Sequence, residues 1–227
     1  MLNPDFSSRP MDTARAFPFA ALQDVNHRCI ELLVHAARIS ITPPFSLIAH
    51  LREPLRRSTP ESRRAAASRG VLLVDMQFDQ PAWWRRVLSE PERAFRSGPG
   101  CGAFPRQSGI ALARATLALA WNAVQTDRTV AGVLLGMDAE VATLISSLPL
   151  TRIDRFATRH FRRVRPRWAD RTDFWGELLR LCESDPNAST HELDLKALRI
   201  LLGDTLRAAR RAGDRGSLPT RYLPSHY

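Results

Sequence analysis

The sequence predicts a mainly α-helical protein built from two helical modules, each with one short extended segment, followed by a C-terminal helix. Three observations carry this. Apolar side chains recur at three- and four-residue spacing along most of the chain, only two short runs depart from that period, and the second half repeats the plan of the first. At 227 residues, with 44% hydrophobic and 25% charged side chains, the composition is globular and sufficient for a sizeable core.

Residues 1–16, with Pro4, Ser7, Ser8 and Pro10, read as a disordered N-terminus. The first module spans 17–97. Val25, Cys29, Leu32, Leu33, Ala36 and Ala37 place an amphipathic helix over 24–38, with Asp24 as its N-cap. Thr42-Pro43-Pro44 breaks it, and a second helix runs from Phe45 to about Arg57 with an interruption at Pro54. Ser58-Thr59-Pro60-Glu61 combines a cap, a first-turn proline and an acid, so a third helix runs through Ala67, and Gly70 ends it. The apolar run from Val71 to Phe78, bounded by Gly70 and Pro81, predicts a strand or extended segment. Asp79-Gln80-Pro81 then opens a helix carrying Trp84, Val87 and Leu88.

Residues 98–107 read as a linker rich in glycine and proline. The stretch superficially looks like a phosphate-binding loop, but no Gly-Lys-Ser/Thr follows, and Pro99 and Pro105 do not suit one. The second module, 108–212, begins with a helix over 108–125 carrying Leu112, Leu117, Trp121 and Val124. A break at Thr126-Asp127 leads to a helix through Leu135, another over 138–146, and a third from Pro149 or Thr151 to near His160. Residues 162–168 read as extended, and 170–182 as a helix with Phe174, Leu178 and Leu181 inward. Ser189-Thr190-His191-Glu192 caps a last helix with Leu195, Leu198, Leu202 and Leu206 on one face and Arg207, Arg210 and Arg211 at its end. Residues 213–227 form a tail. Setting the halves side by side pairs Val74 with Val164, Phe78 with Trp168, Trp84 with Phe174 and Leu88 with Leu178, while Leu32 meets Leu119.

The charge balance is the second strong signal. The net charge is +10, from 33 basic against 23 acidic side chains, and Lys196 is the sole lysine. Such an excess favours a polyanion partner, and arginine suits bidentate phosphate contacts, although a GC-rich genome also enriches it. The densest cluster is Arg159, Arg162, Arg163, Arg165, Arg167 and Arg171, with His160 and Trp168 among them. In an extended segment alternate residues share a face, so Arg163, Arg165 and Arg167 are expected to point one way, toward phosphate or an acidic partner. The pairs Arg56-Arg57, Arg63-Arg64 and Arg85-Arg86 read as solvated helix faces. Trp83, Trp168, Leu198 and Leu202 are the candidate partner-interface residues, one of Trp83 and Trp84 being expected to pack inward.

Several classes are disfavoured. No apolar run is long enough for a membrane span, and the first residues lack the form of a signal peptide, so the expectation is a cytoplasmic protein that meets no membrane. Cys29, Cys101 and Cys182 are far apart with no C-x-x-C pair; Cys29 and Cys182 read as core and Cys101 as exposed. The six histidines show no ligand spacing and no nucleophile or carboxylate-pair motif occurs, so neither catalysis nor a metal or other cofactor is expected.

One stretch names a job. Leu135-Gly136-Met137-Asp138-Ala139-Glu140-Val141-Ala142, followed by Leu148-Pro149-Leu150, Ile153 and Ala157, resembles the centre of the bacterial flagellar regulator FlhD family. Leu117, Ala120, Asp127, Ala131 and Trp168 extend the agreement, and Leu201-Leu202 resembles the family's closing helix, so the region from about Leu112 to Arg211 looks like one complete subunit. The first half is similar mainly through Asp24-Val25-Asn26 and Leu73 to Asp79, with Ala49, His50 and Leu51 where the Leu-Gly-x-x-x-Glu core belongs. The resemblance implies a helical protein that combines with a zinc-bearing FlhC-type partner and activates flagellar genes on duplex DNA. Here two such modules in one chain would resemble a dimer fused covalently, acting as a monomer or a dimer of tandem chains. Some family members carry a bridging cysteine in the extended segment; Val74 and Val164 stand there, so no such disulfide is expected. The partner's four-cysteine zinc site has no counterpart. An interaction module that binds such a regulator without touching DNA, and a regulator of another process such as mobile-element transfer, are the competing readings.

Overall fold

Capping chemistry sets several helix boundaries. Before α3 (Pro60–Ala67), Thr59 Oγ1 accepts the Ser62 amide at 3.1 Å and Ser62 Oγ accepts the Thr59 amide at 3.0 Å, a reciprocal box. Asp127 Oδ1 accepts the amides of Thr129 and Val130 at 2.8 and 3.0 Å to start α6 (Arg128–Leu135), and Asp138 Oδ1 accepts Glu140 N at 2.8 Å to start α7 (Ala139–Ser146). Between them Gly136 adopts φ 57°, the left-handed conformation that closes α6 and that glycine enters without penalty.

The structure, a computed structural model, describes residues 16–39, 46–89, 102–184 and 193–204. It is mainly helical. The first module contains α1 (Phe19–Arg38), α2 (Ser46–Arg57), α3, strand β1 (Val74–Asp75) and α4 (Pro81–Ser89). The second contains α5 (Arg106–Thr126), α6, α7, α8 (Leu150–His160), a 3-10 turn at Phe161–Arg163, β2 (Arg165–Pro166) and α9 (Thr172–Ser184). Residues 193–204 are helical and are called α10. The expected linker is helical from Arg106 onward, while 98–101 lie outside the described residues, as do 1–15, the capping sequence before α10, Leu206 and the 213–227 tail.

Four local expectations change. Helix α1 begins at Phe19, so Asp24 is not its N-cap; one turn inside, it accepts a bond from Arg28 at 2.8 Å. Pro54 does not interrupt α2. The only helical bond it removes is the one to the carbonyl of His50, an exposed residue near the helix's middle. The two extended runs shrink to two residues each, with pairing confined to Val74↔Pro166 and Asp75↔Arg165. Arg167 N donates to Leu73 O at 2.8 Å and closes the ladder, while Leu73 N donates to Asn26 Oδ1 at 2.7 Å and Leu72 N to Leu134 O at 2.9 Å. In α10 the inward row is Leu193, Ala197 and Leu201, whereas Leu195 and Leu202 are 38% and 62% exposed. Two adjacent apolar stripes have the same spacing there, and periodicity does not choose between them.

The internal repeat becomes an approximate two-fold axis. The antiparallel strands come from equivalent segments, and Asp75 lies opposite Arg165, its own equivalent under the sequence alignment, so the axis passes through that pair. Beyond the strands the equivalence slips by one residue from the alignment of Phe78 with Trp168, Trp84 with Phe174 and Leu88 with Leu178. Gln77 and Trp168 share positive φ, 57° and 54°, and each accepts a turn bond, from Gln80 N at 3.0 Å and Arg171 N at 2.8 Å. Trp84 therefore matches Trp175, both fully buried, with indole N–H groups donating to the carbonyls of Gln77 and Arg167, each at 2.9 Å. Across the axis α1 packs on α5, α4 reaches over to α7, and α9 packs on α2 and α3. Each module thus lends its last helix to the other, and side chains of both halves join one hydrophobic core.

Candidate nucleic-acid interface

The six arginines singled out by sequence do not form one row. Arg167 is buried at 6% exposure: Nη1 donates to Leu72 O at 3.3 Å, Nη2 donates to Leu135 O, and the Trp175 indole donates to its carbonyl. It rivets the modules together and does not face solvent. Burial pushes its pKa down, while Asp75, Asp79 and Asp204 oppose that shift. Arg165 places Nε and Nη2 each 2.8 Å from Asp75 Oδ2, and Arg171 Nη2 lies 2.8 Å from Asp204 Oδ1. Arg163 belongs to the 3-10 turn. The expected alternation of Arg163, Arg165 and Arg167 fails because the strand is only two residues long and the left-handed Trp168 turns the chain at once.

What the structure does assemble is a basic face on α8. This helix buries Ile153, Phe156, Ala157 and His160 and exposes Arg152 and Arg155, with Arg159 half-buried and Arg162 and Arg163 exposed just beyond its end. Spacings of three and four residues keep Arg152, Arg155 and Arg159 on one side, a row about 10 Å long at the helical rise. Arg114 of α5 reaches Asp154 at 2.5 Å and offsets the carboxylate beside that row. The Arg162 guanidinium carbon stands 5.7 Å from the Phe161 ring centre. The face sits close on α5 because Gly109 makes room: a Cβ there would lie 3.0 Å from the Phe161 ring.

Arg152 and Arg155 were not among the candidates. Their signal was present as helical spacing, but a cluster read with the two-residue period of a strand groups different side chains. His160 adds no charge to the face. It is buried, and desolvation, helped by Arg159 and Arg163, lowers its pKa from 6.5 to about 4.

Trp83 and Trp168 are core residues, 9% and 8% exposed, and neither offers the partner surface expected of it. Trp83 packs edge-on against His160 at 5.5 Å and Phe156 at 6.2 Å, Trp84 stacks on Phe156 at 5.1 Å, and Trp168 meets Phe174 at 4.8 Å. The tryptophans of α4 therefore brace α8 from beneath. Of the remaining two candidates, Leu198 is half-buried and Leu202 exposed.

Helices α6 and α7 are bent by 118° across Gly136–Asp138, which has the form of a helix-turn-helix. Helix α7, however, exposes Ala139, Glu140 and Thr143 and carries no cation, and Glu140 is tied to Arg85 of α4 at 2.9 Å. Exposed cations lie on α8, which follows α7 after three residues.

Other chemistry is sparse. Among the described residues no three of His, Cys, Asp and Glu group closely enough to hold a metal, and no single helix is long and apolar enough to cross a membrane. Cys29 and Cys182 are buried free thiols; desolvation pushes Cys29 up to about 12, which suppresses thiolate reactivity. Cys101 lies outside the described residues. The α8 surface holds an open dent lined by Asp154, Arg155, Thr158 and Arg159. Fold and site together define a mainly helical protein whose two modules pair through equivalent strands and whose α8 carries a basic face. The chain matches no protein-family model, no curated protein and no solved structure.

Proposed function

We propose that this protein is an FlhD-like transcriptional regulator that acts on duplex DNA in the cytoplasm together with an FlhC-type partner, flagellar promoters being its first candidate targets. The observation that carries this reading is the two-fold pairing of two helical modules through equivalent strands. In this reading the two paired modules of one chain stand in for the dimer that the resemblance implies. The charge of +10 and the α8 row support contact with phosphate. Such contacts position a protein and do not read sequence, so promoter choice is assigned to the partner or to the assembled complex.

The test is fluorescence anisotropy on flagellar promoter fragments and scrambled duplexes, with and without the FlhC-like protein of the same genome, at two salt concentrations. Promoter preference that emerges only with the partner is the expected result. Preference for promoters of another regulon, such as mobile-element transfer, would keep the regulator and change its targets. A second reading, an interaction module that binds a regulator without touching DNA, is favoured by the exposed Leu195 and Leu202 and by the engagement of Arg165, Arg167 and Arg171 within the fold. Negligible binding to any duplex at low salt, even with the partner, selects it.

A further inference from the structure

We infer that α10 is a releasable strap: it occupies Arg171 in the closed state and yields it to phosphate when it lifts. The release follows from how α10 is attached, while the choice of duplex phosphate as the competitor rests on the regulator reading above.

The apolar attachment is thin. The described residues of α10 bury Leu193, Ala197 and Leu201 and half-bury Leu198 and Ile200, none of them aromatic, whereas α9 buries Phe174, Trp175, Leu178, Leu179 and Cys182. The seat of Leu201 also depends on a missing side chain, because a Cβ at Gly136 would lie 2.7 Å from Leu201 Cδ2.

Ionic contacts supply much of the remaining hold. Asp204 holds Arg171 at 2.8 Å, with side chains 39% and 35% exposed, and Lys196 pairs with Glu177 at comparable exposure. Exposed pairs of this kind are weak and screened by salt. The third pair is unfinished. Arg69 is 4% exposed and Asp194 Oδ1 stands 3.9 Å from its Nη1, yet among the described residues Arg69 Nε and Nη1 and Asp194 Oδ1 have no hydrogen-bond partner. A strap whose buried contact is incomplete has less to lose on opening than the elements beneath it.

The consequence falls on Arg171. It stands five residues beyond β2, on the segment that sequence marked as basic, and its guanidinium is engaged by Asp204. A phosphate diester offers the same guanidinium a charge-assisted, bidentate contact, and a duplex offers many such groups at once. Opening of α10 and phosphate binding at Arg171 therefore favour one another, as linkage requires.

Hydrogen exchange on the full chain decides the release. The amides of α10 are expected to exchange at least about tenfold faster than those of α5, and faster still when salt is raised from about 50 to about 500 mM. Asp204→Asn at low salt should reproduce the high-salt rate. A Glu177→Cys/Lys196→Cys disulfide should slow α10 to the rate of α5 until it is reduced. Equal protection of α10 and α5, unchanged by salt and by the lock, overturns the strap. Anisotropy with a 20-bp duplex decides the competition. Asp204→Asn should tighten binding about threefold at low salt, and adding Arg171→Gln should abolish the gain. Unchanged affinity in Asp204→Asn overturns the gating of Arg171. Absence of duplex binding in every form overturns the regulator reading and the competition with it, and exchange still decides whether α10 lifts.

Discussion

Helices α3 and α8 occupy matching places in the two modules, the first leading into β1 and the second into β2, yet their arginines serve different ends. In and just after α3, Arg63 is buried, donating to Glu31 at 2.6 Å and Ser58 O at 2.9 Å, and Arg69 donates to Ala65 O at 2.8 Å under α10. On α8, Arg152 and Arg155 are exposed on the side opposite the core, and Arg162 and Arg163 continue the basic surface. A two-fold scaffold need not give a two-fold function: at matching places Arg63 and Arg69 are buried ties, whereas Arg152 and Arg155 are exposed.

The largest way to break this comparison is to remove the polar anchor of either module. Asn26, fully buried, donates to Ala67 O and Val71 O at 3.2 and 2.9 Å and accepts from Leu73 N, so Asn26→Leu strands three backbone groups and should cost about 3 to 5 kcal/mol in urea denaturation. Arg167→Met strands the carbonyls of Leu72 and Leu135 and should cost about 2 to 4 kcal/mol. Loss of one module with the other still folded would show that the shared core does not couple them.

A smaller effect comes from pH. His160 has a folded pKa of about 4 against an ordinary 6.5, so the unfolded chain takes up a proton that the folded chain refuses. Stability should be constant above about pH 7 and fall by on the order of 2 to 3 kcal/mol as pH drops from about 6.5 to about 4. His160→Phe should flatten that part of the profile; an unchanged slope assigns it to other groups.

Swapping the roles of α3 and α8 sharpens the contrast. Arg63→Gln should lose about 1 to 2 kcal/mol and leave duplex binding intact. Arg155→Gln should change stability by less than about 0.5 kcal/mol and reduce the salt dependence of duplex binding by about 0.9 for each phosphate that the side chain no longer neutralises. Equal effects on binding from the two would remove the asymmetry. The smallest test compares caps. Thr59→Ala and Asp127→Ala should each cost about 1 kcal/mol, measured by thermal unfolding, since each strands first-turn amides at the head of one helix.

Much of the helical plan was legible because its signals are local. Thr59-Pro60, Asp127 and Asp138 announce helix starts within four residues of where the bonds form, and the spacing of Leu112, Leu117 and Val124 carries its own face. The basic cluster was legible as composition but not as geometry. Arg167 looks like its neighbours in the sequence, and its role depends on carbonyls of Leu72 and Leu135, 95 and 32 residues away. Trp83 and Trp168 likewise read as interface candidates until Phe156, His160 and Phe174 are brought against them.

The sequence by itself determined the mainly helical class, several helix starts and the positive charge, because capping and apolar periodicity act over a few bonds. Only the tertiary structure decided which of two leucine stripes on α10 faces inward and which arginines reach solvent. Periodicity sets the angle between side chains on one helix but not the direction in which the whole helix faces. Likewise, the burial of a charge depends on acceptors supplied by remote parts of the chain.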